Sequence, residues 1–254
     1  MSYIIAFILG SIWGSFANVC IYRLPIDQNI AKGRSYCTSC KKQIKWFDNI
    51  PLLSYLFLKG TCRFCTKQIN IQYFIVELVS ALSFVIVLYL FGLSLTTLLF
   101  FILSICFIII FFIDLKHFII PNELTYPLML IGFLKSFDPN LNKLLFPNFF
   151  NSIIGGIFGY LIIWLIIFVY KKLRNREGMG LGDAKLLAVI GFWFGWISIP
   201  FVIFFSSTVA LIWVIPDLIK NKKKLTSQIP FGPFLILGTL IYLIIIDYIK
   251  IYLG

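Results

Sequence analysis

Residues 78–113 read LVSALSFVIVLYLFGLSLTTLLFFILSICFIIIFFI and contain no charged side chain. A helix needs about 20 predominantly apolar residues to cross the hydrocarbon core of a bilayer. This run of 36 residues is long enough for two crossings, and Gly92-Leu93-Ser94 near its middle predicts the turn between them. The stretch therefore indicates a helical protein that is integral to a membrane.

The composition of the whole chain agrees with this interpretation. Of the 254 residues, 60% are hydrophobic and 13% are charged, and the mean hydropathy is +0.97. An ordinary soluble domain has about 45–50% apolar and about 25% charged residues. One water-soluble core of this size cannot bury the excess. The composition excludes soluble, disordered and fibrous classes, and predicts an all-α polytopic membrane protein.

About eight transmembrane helices are predicted from the apolar segments, which are separated by polar loops. The segments are 3–22, two within 78–113, 121–134, 149–170, two within 186–216 with a break near Pro200, and 233–247. The longest polar stretch, residues 23–71, lies between the first and second helices and predicts a small inserted domain.

The basic residues predict how the chain is oriented. The chain has 22 Lys and Arg residues against 10 Asp and Glu, a net charge of +12. Basic residues accumulate in the cytoplasmic loops of membrane proteins. If residues 23–71 are cytoplasmic and the helices alternate, 19 of the 22 basic residues share that side. The exceptions are Lys135, Lys143 and Lys250. We therefore expect both termini outside, and we attribute the positive charge to topology and the lipid surface rather than to nucleic-acid binding.

Four cysteines in the polar stretch form two CxxC pairs. Cys37 and Cys40 are separated from Cys62 and Cys65 by 21 residues. Two such pairs supply four thiolates, which matches tetrahedral zinc, and a site closed by four sulfurs is structural rather than catalytic. Disulfide or redox chemistry is the rival interpretation, and a cytoplasmic location argues against it. The pattern predicts a zinc-stapled insertion.

Two aspartates are the candidates for catalysis. Asp114 ends the long apolar run, and Asp183 follows the glycine-rich segment Gly178-Met179-Gly180-Leu181-Gly182. Glycine permits close backbone approach, so Asp183 can be brought against another helix. Two carboxylates in a partly desolvated site share a proton. One then acts as general base on water while the other donates to a scissile carbonyl, which is aspartic-protease chemistry.

Each aspartate also has a simpler interpretation. Asp183 can be a helix N-cap that satisfies unpaired amides. Asp114 can be an interfacial charge beside Lys116. Other protease chemistries are disfavoured, because the single histidine, His117, cannot build a zinc-protease site. Ser15 and Ser54 likewise lack a histidine base.

Several longer motifs accompany these residues over most of the chain. They are Gly14–Val19 with Arg23-Leu24-Pro25, the cysteine pairs flanking Trp46–Tyr55, Asp114 with Ile120-Pro121-Asn122, Gly178–Leu186, and Ile229–Phe234. Together they resemble the prepilin peptidase (type IV leader peptidase) family, membrane aspartic proteases of the GxGD class. Thr38 and Phe74 depart from the family pattern, standing where many members have proline.

The resemblance implies an enzyme that cleaves the basic leader of type IV prepilin-like or pseudopilin precursors after a glycine. The cut would be made at the cytoplasmic face of the bacterial inner membrane, in a pilus, type II secretion or competence system. In many members the resemblance also implies methylation of the new N-terminus with S-adenosylmethionine. Asp114 and Asp183 carry over as the catalytic pair. The implied division is a first transmembrane helix (1–22), a four-cysteine zinc domain (23–71) and a membrane-embedded aspartic peptidase domain (72–254).

Four further residues are predicted to support the site: Gly180, Gly182, Glu77 and Lys185. The glycines and Lys185 belong to the segment around Asp183. Glu77 can tune the site or bind an amine of a substrate or cofactor, and its simpler interpretation is an interfacial anchor near Lys67.

Two other functions remain open at this point. A proton- or ion-coupled transporter would also use carboxylates within the membrane, although those would lie near the bilayer midplane rather than at one face. A membrane methyltransferase that has lost its protease activity is the second alternative.

Overall fold

The structure is a computed structural model that describes residues 1–31, 33, 35–138, 140–141, 145–174, 180–219 and 228–253. Over these residues the protein is helical, and its β-structure is limited to two isolated bridges, Tyr36–Gln43 and Thr61–Gln68. The chain divides into two compact units, Met1–Ile109 and Ile110–Gly254. The predicted all-α class is confirmed.

The described residues form nine α-helices. They are α1 (Ser2–Arg23), α2 (Leu53–Phe57), α3 (Gln72–Phe91), α4 (Leu95–His117), α5 (Asn122–Leu134), α6 (Phe149–Arg174), α7 (Leu181–Phe194), α8 (Ser198–Ile219) and α9 (Gly232–Leu253). All except the short α2 coincide with the eight apolar segments. The turn predicted at Gly92 is confirmed, since α3 ends at Phe91 and α4 begins at Leu95.

Five of these helices are long and apolar enough to cross a bilayer, judged on the described part of the chain: α1, α3, α4, α6 and α8. Helices α5 and α7 have 13 and 14 residues, and the apolar part of α9 is Gly232–Ile246. At 1.5 Å per residue, 14 residues extend about 21 Å, which is less than the hydrocarbon thickness of about 30 Å. Length and hydropathy thus support five crossings, and the predicted further three stay a prediction.

The break predicted near Pro200 lies elsewhere. Helix α7 ends at Phe194, Gly195 takes a left-handed φ of +82°, and α8 begins at Ser198. Pro200 lies in the first turn of α8, where the backbone N–H has no helical acceptor and its loss costs nothing. Gly195 ends α7, and Pro200 is accommodated in the first turn of α8.

In the unit Met1–Ile109, helices α1 and α3 pack with their backbones close together. A β-carbon on Gly10 would lie 2.6 Å from the carbonyl oxygen of Ser80, and one on Gly14 would lie 2.7 Å from Cα of Glu77. Contacts this short leave room only for glycine. Small residues at helix interfaces allow such packing inside membranes.

In the unit Ile110–Gly254, α7 is the central helix and packs on α5, α6, α8 and α9. From Leu186 onward it is apolar on all sides, and several side chains there are completely buried: Leu186, Leu187, Val189, Ile190 and Trp193. A helix that is apolar on all sides belongs inside a bundle. Because Asp183 lies in the first turn of α7, this packing fixes its position.

The last turn of α7 is held by a buried lysine. Lys135, one of the three basic residues outside the predicted cytoplasmic face, is 6% exposed, and its amine donates to the carbonyl oxygen of Trp193 at 2.8 Å. The indole N–H of Trp193 donates in turn to the carbonyl of Leu128 in α5 at 2.8 Å. A cation at a helix C-terminus satisfies unpaired carbonyls and complements the helix dipole. Lys135 is therefore a structural residue that anchors α7 to α5.

Candidate active site and metal centre

Asp114 lies in the last turn of α4 and is 4% exposed. The helix ends three residues later because Phe118 adopts a left-handed φ of +58°, with its N–H donating to the backbone carbonyl of Asp114 at 3.0 Å. A left-handed residue after the last turn is a common helix ending. The chain then turns through Ile119 and Ile120 into α5. The Ile120 side chain lies near the Asp114 carboxylate, since a β-carbon on Gly232 would meet both.

Asp183 lies in the first turn of α7 and is 7% exposed. Gly180 takes the N-cap position, and its carbonyl accepts the N–H of Asp183 at 3.2 Å. The N-cap interpretation of Asp183 is therefore wrong, because the cap is three residues earlier. Gly178, the first glycine of the motif, lies outside the described residues.

The structure brings the two aspartates into one site, with Ile120 between their supporting glycines. A β-carbon on Gly182 would lie 3.0 Å from Cβ of Ile120, and one on Gly232 would lie 3.1 Å from its Cδ1. Ile120 therefore lies close to the surroundings of both aspartates. The glycine beside Asp183 thus permits the close approach that the sequence predicted.

Neither carboxylate forms an ion pair within the part of the chain that the structure describes. Two buried carboxylates without a cation cannot both be charged at low cost, and such a pair favours the state that holds one proton between its members. A pair of this kind can deprotonate water with one member and protonate a carbonyl oxygen with the other.

The predicted supporting residues have different surroundings. Lys185 donates to the side-chain oxygen of Asn122 at 2.7 Å, and its amine lies 5.4 Å from the ring centre of Tyr126. Lys185 thus ties the start of α7 to the start of α5. Glu77 belongs to the other unit, where its carboxylate accepts the N–H of Leu52 at 2.8 Å. Leu52 has a left-handed φ of +61°, so Glu77 holds a strained turn of the insertion against α3.

The four predicted metal ligands meet at one point. The sulfur atoms of Cys37, Cys40, Cys62 and Cys65 all lie within 4.8 Å of one another, and those of Cys37 and Cys65 are 3.9 Å apart. A disulfide would require about 2.05 Å. A zinc ion with bonds of about 2.3 Å has sulfur–sulfur edges of about 3.8 Å. The cluster therefore fits a tetrahedral metal ion.

The two cysteine pairs form knuckles of the same design. In the first, the N–H of Cys37 donates to Lys42 and the N–H of Lys41 donates back to Cys37, both at 2.9 Å. In the second, the N–H of Cys62 donates to the carbonyl of Lys67, and the N–H of Thr66 donates to the carbonyl of Cys62, both at 2.9 Å. Lys41 and Thr66 both adopt a left-handed φ. The repeated geometry directs two sulfurs of each knuckle toward a shared centre.

The surroundings of one cysteine of the cluster, Cys37, favour the form that binds a cation. The backbone N–H of Cys40 lowers the pKa of Cys37 to about 6, with a further contribution from that of Ser39. An N–H donor favours the thiolate, and the thiolate is the metal-binding form.

Beside the cysteine cluster, Arg63 forms a bidentate ion pair with Asp48, with its Nη2 at 2.7 Å from Oδ1. This pair ties the second knuckle to the Trp46–Asn49 turn.

One residue of the carboxylate site was not assigned from the sequence. The backbone N–H of Gly232 donates to Oδ2 of Asp114 at 2.9 Å. Gly232 belongs to the motif Ile229–Phe234, and Gly-Pro before an apolar run marks a helix start, whose first amides lack helical partners. That signal predicts an available donor without saying which acceptor it meets.

Comparisons with known proteins cover nearly the whole chain. Residues 8–91 match the model of the bacterial peptidase A24 N-terminal domain, and residues 100–215 match that of the type IV leader peptidase family. The relatives include prepilin leader peptidase/N-methyltransferases of three bacteria. The protein of Aeromonas salmonicida (strain A449) is 35% identical over 91% of this chain and 86% of its own. That of Klebsiella pneumoniae is 37% identical over 80% and 90%, and that of Neisseria gonorrhoeae is 34% identical over 82% and 79%. No solved structure matches the chain.

Proposed function

Since the chain belongs to the type IV leader peptidase family, as its motifs indicated, we propose that it is a membrane aspartic endopeptidase. It cleaves the basic leader of prepilin-like or pseudopilin precursors after a glycine. The observation that carries the proposal is the burial of Asp114 and Asp183 in one site, with no ion-pair partner among the residues that the structure describes. A proton- or ion-coupled transporter would place its carboxylates near the bilayer midplane, whereas these two lie at the ends of two helices.

The reaction needs only water and the two carboxyl groups. One carboxylate takes a proton from water, and the resulting oxygen attacks the scissile carbonyl carbon. The other carboxyl group gives its proton to the carbonyl oxygen, forming a neutral diol. Collapse of the diol breaks the C–N bond: one diol hydroxyl returns its proton to the pair, and the departing nitrogen takes a proton from the pair. The pair ends with one shared proton, ready for the next turnover.

Residues 23–71 are proposed to be a structural zinc domain, with Cys37, Cys40, Cys62 and Cys65 as ligands. A closed four-sulfur site leaves no position for water, so the metal would hold the fold and take no part in hydrolysis. A segment of this size has too little core to fold by itself. The metal would thereby set the turn at Leu52 that meets Glu77.

Methylation of the new N-terminus is proposed as a second activity, with S-adenosylmethionine as donor. Its support is the name of the relatives, prepilin leader peptidase/N-methyltransferase. The same relatives support prepilin or pseudopilin precursors as partners.

We further propose that the protein lies in the bacterial cytoplasmic membrane, with both termini outside and the carboxylate pair at the cytoplasmic face. The support is the distribution of charge, which would gather 19 of 22 basic residues on that face. Asp114 lies two residues before Lys116, one of these basic residues.

The purified protein in detergent is expected to convert a prepilin-like precursor into a shorter product. Mass spectrometry of that product should show a new N-terminus directly after a glycine. With S-adenosylmethionine present, the proposed methylation adds about 14 Da to it. A transporter yields no product in this assay, and a folded protein that leaves the precursor intact would contradict the proposal.

Replacement of Cys37 by serine is expected to release the metal and loosen the insertion. Structural zinc contributes about 10–16 kcal/mol in small zinc domains, so losing one of four thiolates should lower zinc content well below one ion per chain. Elemental analysis measures the metal, and limited proteolysis within residues 23–71 measures the loosening.

Cys20→Ser is the matched control, because Cys20 is a buried cysteine of α1 outside the cluster. It should leave the zinc content unchanged. Equal zinc content in the wild type and Cys37→Ser would refute the proposed ligand set.

A further inference from the structure

We propose that Gly232 is a positioning residue for the peptidase reaction, and that its backbone N–H holds Oδ2 of Asp114 so that Oδ1 is the oxygen that exchanges protons with water. This inference rests on the proposed function, since it concerns the same carboxylate pair. It assigns different tasks to the two oxygens of one aspartate.

The contact joins two helix ends that are 118 residues apart in sequence. Gly232 is the first residue of α9, and its N–H donates to Oδ2 of Asp114 at 2.9 Å in a buried environment. The first amides of a helix have no helical acceptor, and the helix dipole places partial positive charge there. The carboxylate therefore takes the place of the missing acceptor.

Pro233 removes the donor next to Gly232 at the start of α9. Proline has no N–H, so the amide next along the chain cannot bond the second carboxylate oxygen. The helix begins regularly despite this, because the N–H of Leu235 donates to the carbonyl of Phe231 at 3.0 Å. Oδ1 of Asp114 accepts no hydrogen bond from the residues that the structure describes.

The hydrogen bond from Gly232 gives the two oxygens of Asp114 different roles. A lone pair of Oδ2 is committed to an N–H, which can only donate. Oδ1 keeps its lone pairs for a water molecule or for the proton shared with Asp183. Rotation of the carboxyl group would break the bond to Gly232, so the bond also fixes which edge of Asp114 faces the substrate.

The geometry requires glycine at this position. A β-carbon on residue 232 would lie 2.7 Å from Oδ2 and 3.3 Å from Cγ of Asp114, and 3.1 Å from Cδ1 of Ile120. Real side chains do not approach so closely, so either the carboxylate or the start of α9 would have to move. Ile120 also contacts Gly182, so a shift at residue 232 is transmitted to the segment that carries Asp183.

Gly232→Ala is the direct test, measured as kcat and KM on a prepilin-like precursor. Displacement of a reacting group by about 1 Å costs about 100-fold in rate. We expect kcat to fall by about that factor while KM stays within about twofold, because the extra methyl group moves Asp114 and not the surface that binds the precursor.

Gly238→Ala is the matched control in the same helix. A β-carbon there would lie 2.8 Å from the carbonyl of Val202, so the variant disturbs the packing of α8 and α9 away from the carboxylates. The thermal unfolding temperature in detergent measures how far each of the two variants is destabilised. A positioning role predicts that kcat falls much further in Gly232→Ala than in Gly238→Ala at equal loss of thermal stability.

Three results would overturn the inference while the wild type still cleaves precursor. They are an unchanged kcat in Gly232→Ala, a loss that appears only in KM, and losses of kcat that follow thermal stability equally in both variants. A wild-type protein that fails to cleave would instead overturn the proposed function, so the two failures are distinguishable.

Discussion

Asp114→Asn and Asp183→Asn should each reduce the rate of precursor cleavage by at least about 1,000-fold, while the protein still inserts and folds. General acid–base catalysis by one group contributes about 10²–10⁴-fold, and here each carboxyl group serves in both halves of the reaction. Asparagine matches the shape of aspartate but cannot take a proton from water. Its carbonyl oxygen can still accept the N–H of Gly232, so the end of α4 is preserved.

The double variant should be no slower than the slower single variant. Groups that act as one catalytic unit are strongly non-additive, because removing either member already abolishes the shared proton. Asp27→Asn is the control, since Asp27 is an exposed loop carboxylate and its left-handed φ of 52° suits asparagine. Single-turnover cleavage in detergent measures all four proteins. Normal processing by either single variant would end the case for the pair.

Gly191→Leu is expected to have the largest effect on stability. Gly191 in α7 and Gly155 in α6 meet backbone to backbone, and a β-carbon on either would overlap the carbonyl group of the other. Gly159 continues this contact one turn along, where its β-carbon would lie 2.6 Å from the carbonyl of Leu187. Overpacking normally costs about 1–3 kcal/mol because side chains can adjust. Backbone cannot adjust in this way, so we expect about 4 kcal/mol or more.

Loss of this packing should also abolish cleavage, because α7 carries Asp183. The unfolding temperature and the monodisperse yield in detergent measure the effect. Val169→Leu on α6 adds bulk at a residue that is 44% exposed, and should leave both values near those of the wild type. A Gly191→Leu protein with wild-type yield and unfolding temperature would show that α6 and α7 do not depend on this contact.

The membrane character, the helix segments and the four-cysteine cluster were all predictable because each depends on a local pattern. The apolar length of residues 78–113 is sufficient to predict two helices, and the structure supplies the residues at which these helices begin and end. The CxxC spacing predicts two knuckles because three residues of turn suffice to present two sulfurs. The break predicted near Pro200 also came from a local pattern, because a proline can stand either after the end of a helix or in its first turn. The left-handed φ of Gly195 shows that α7 ends there and that Pro200 belongs to the first turn of α8.

The spacing of the glycines in α6 indicates a close contact with another helix. Gly155 and Gly159 are spaced by four residues within an apolar helix, which is the pattern of close helix pairs in membranes. Their partner Gly191 is 32 residues beyond Gly159, and no second glycine lies four residues from it in α7. Spacing can predict that a helix has a flat face, but not which helix covers it.

Composition and short-range spacing determined that this protein is helical and membrane-embedded, with a four-sulfur cluster and two candidate carboxylates. Tertiary packing alone decided that Ile120 lies between the glycines beside Asp183 and Asp114, that Gly232 is the residue that bonds Asp114, and that Lys135 anchors the last turn of α7 to α5. The physical reason is that apolar periodicity, caps and knuckles are interactions between residues a few positions apart. A carboxylate pair separated by 69 positions acquires its geometry only when separate helices pack, and that packing depends on the shapes of surfaces that no single segment contains.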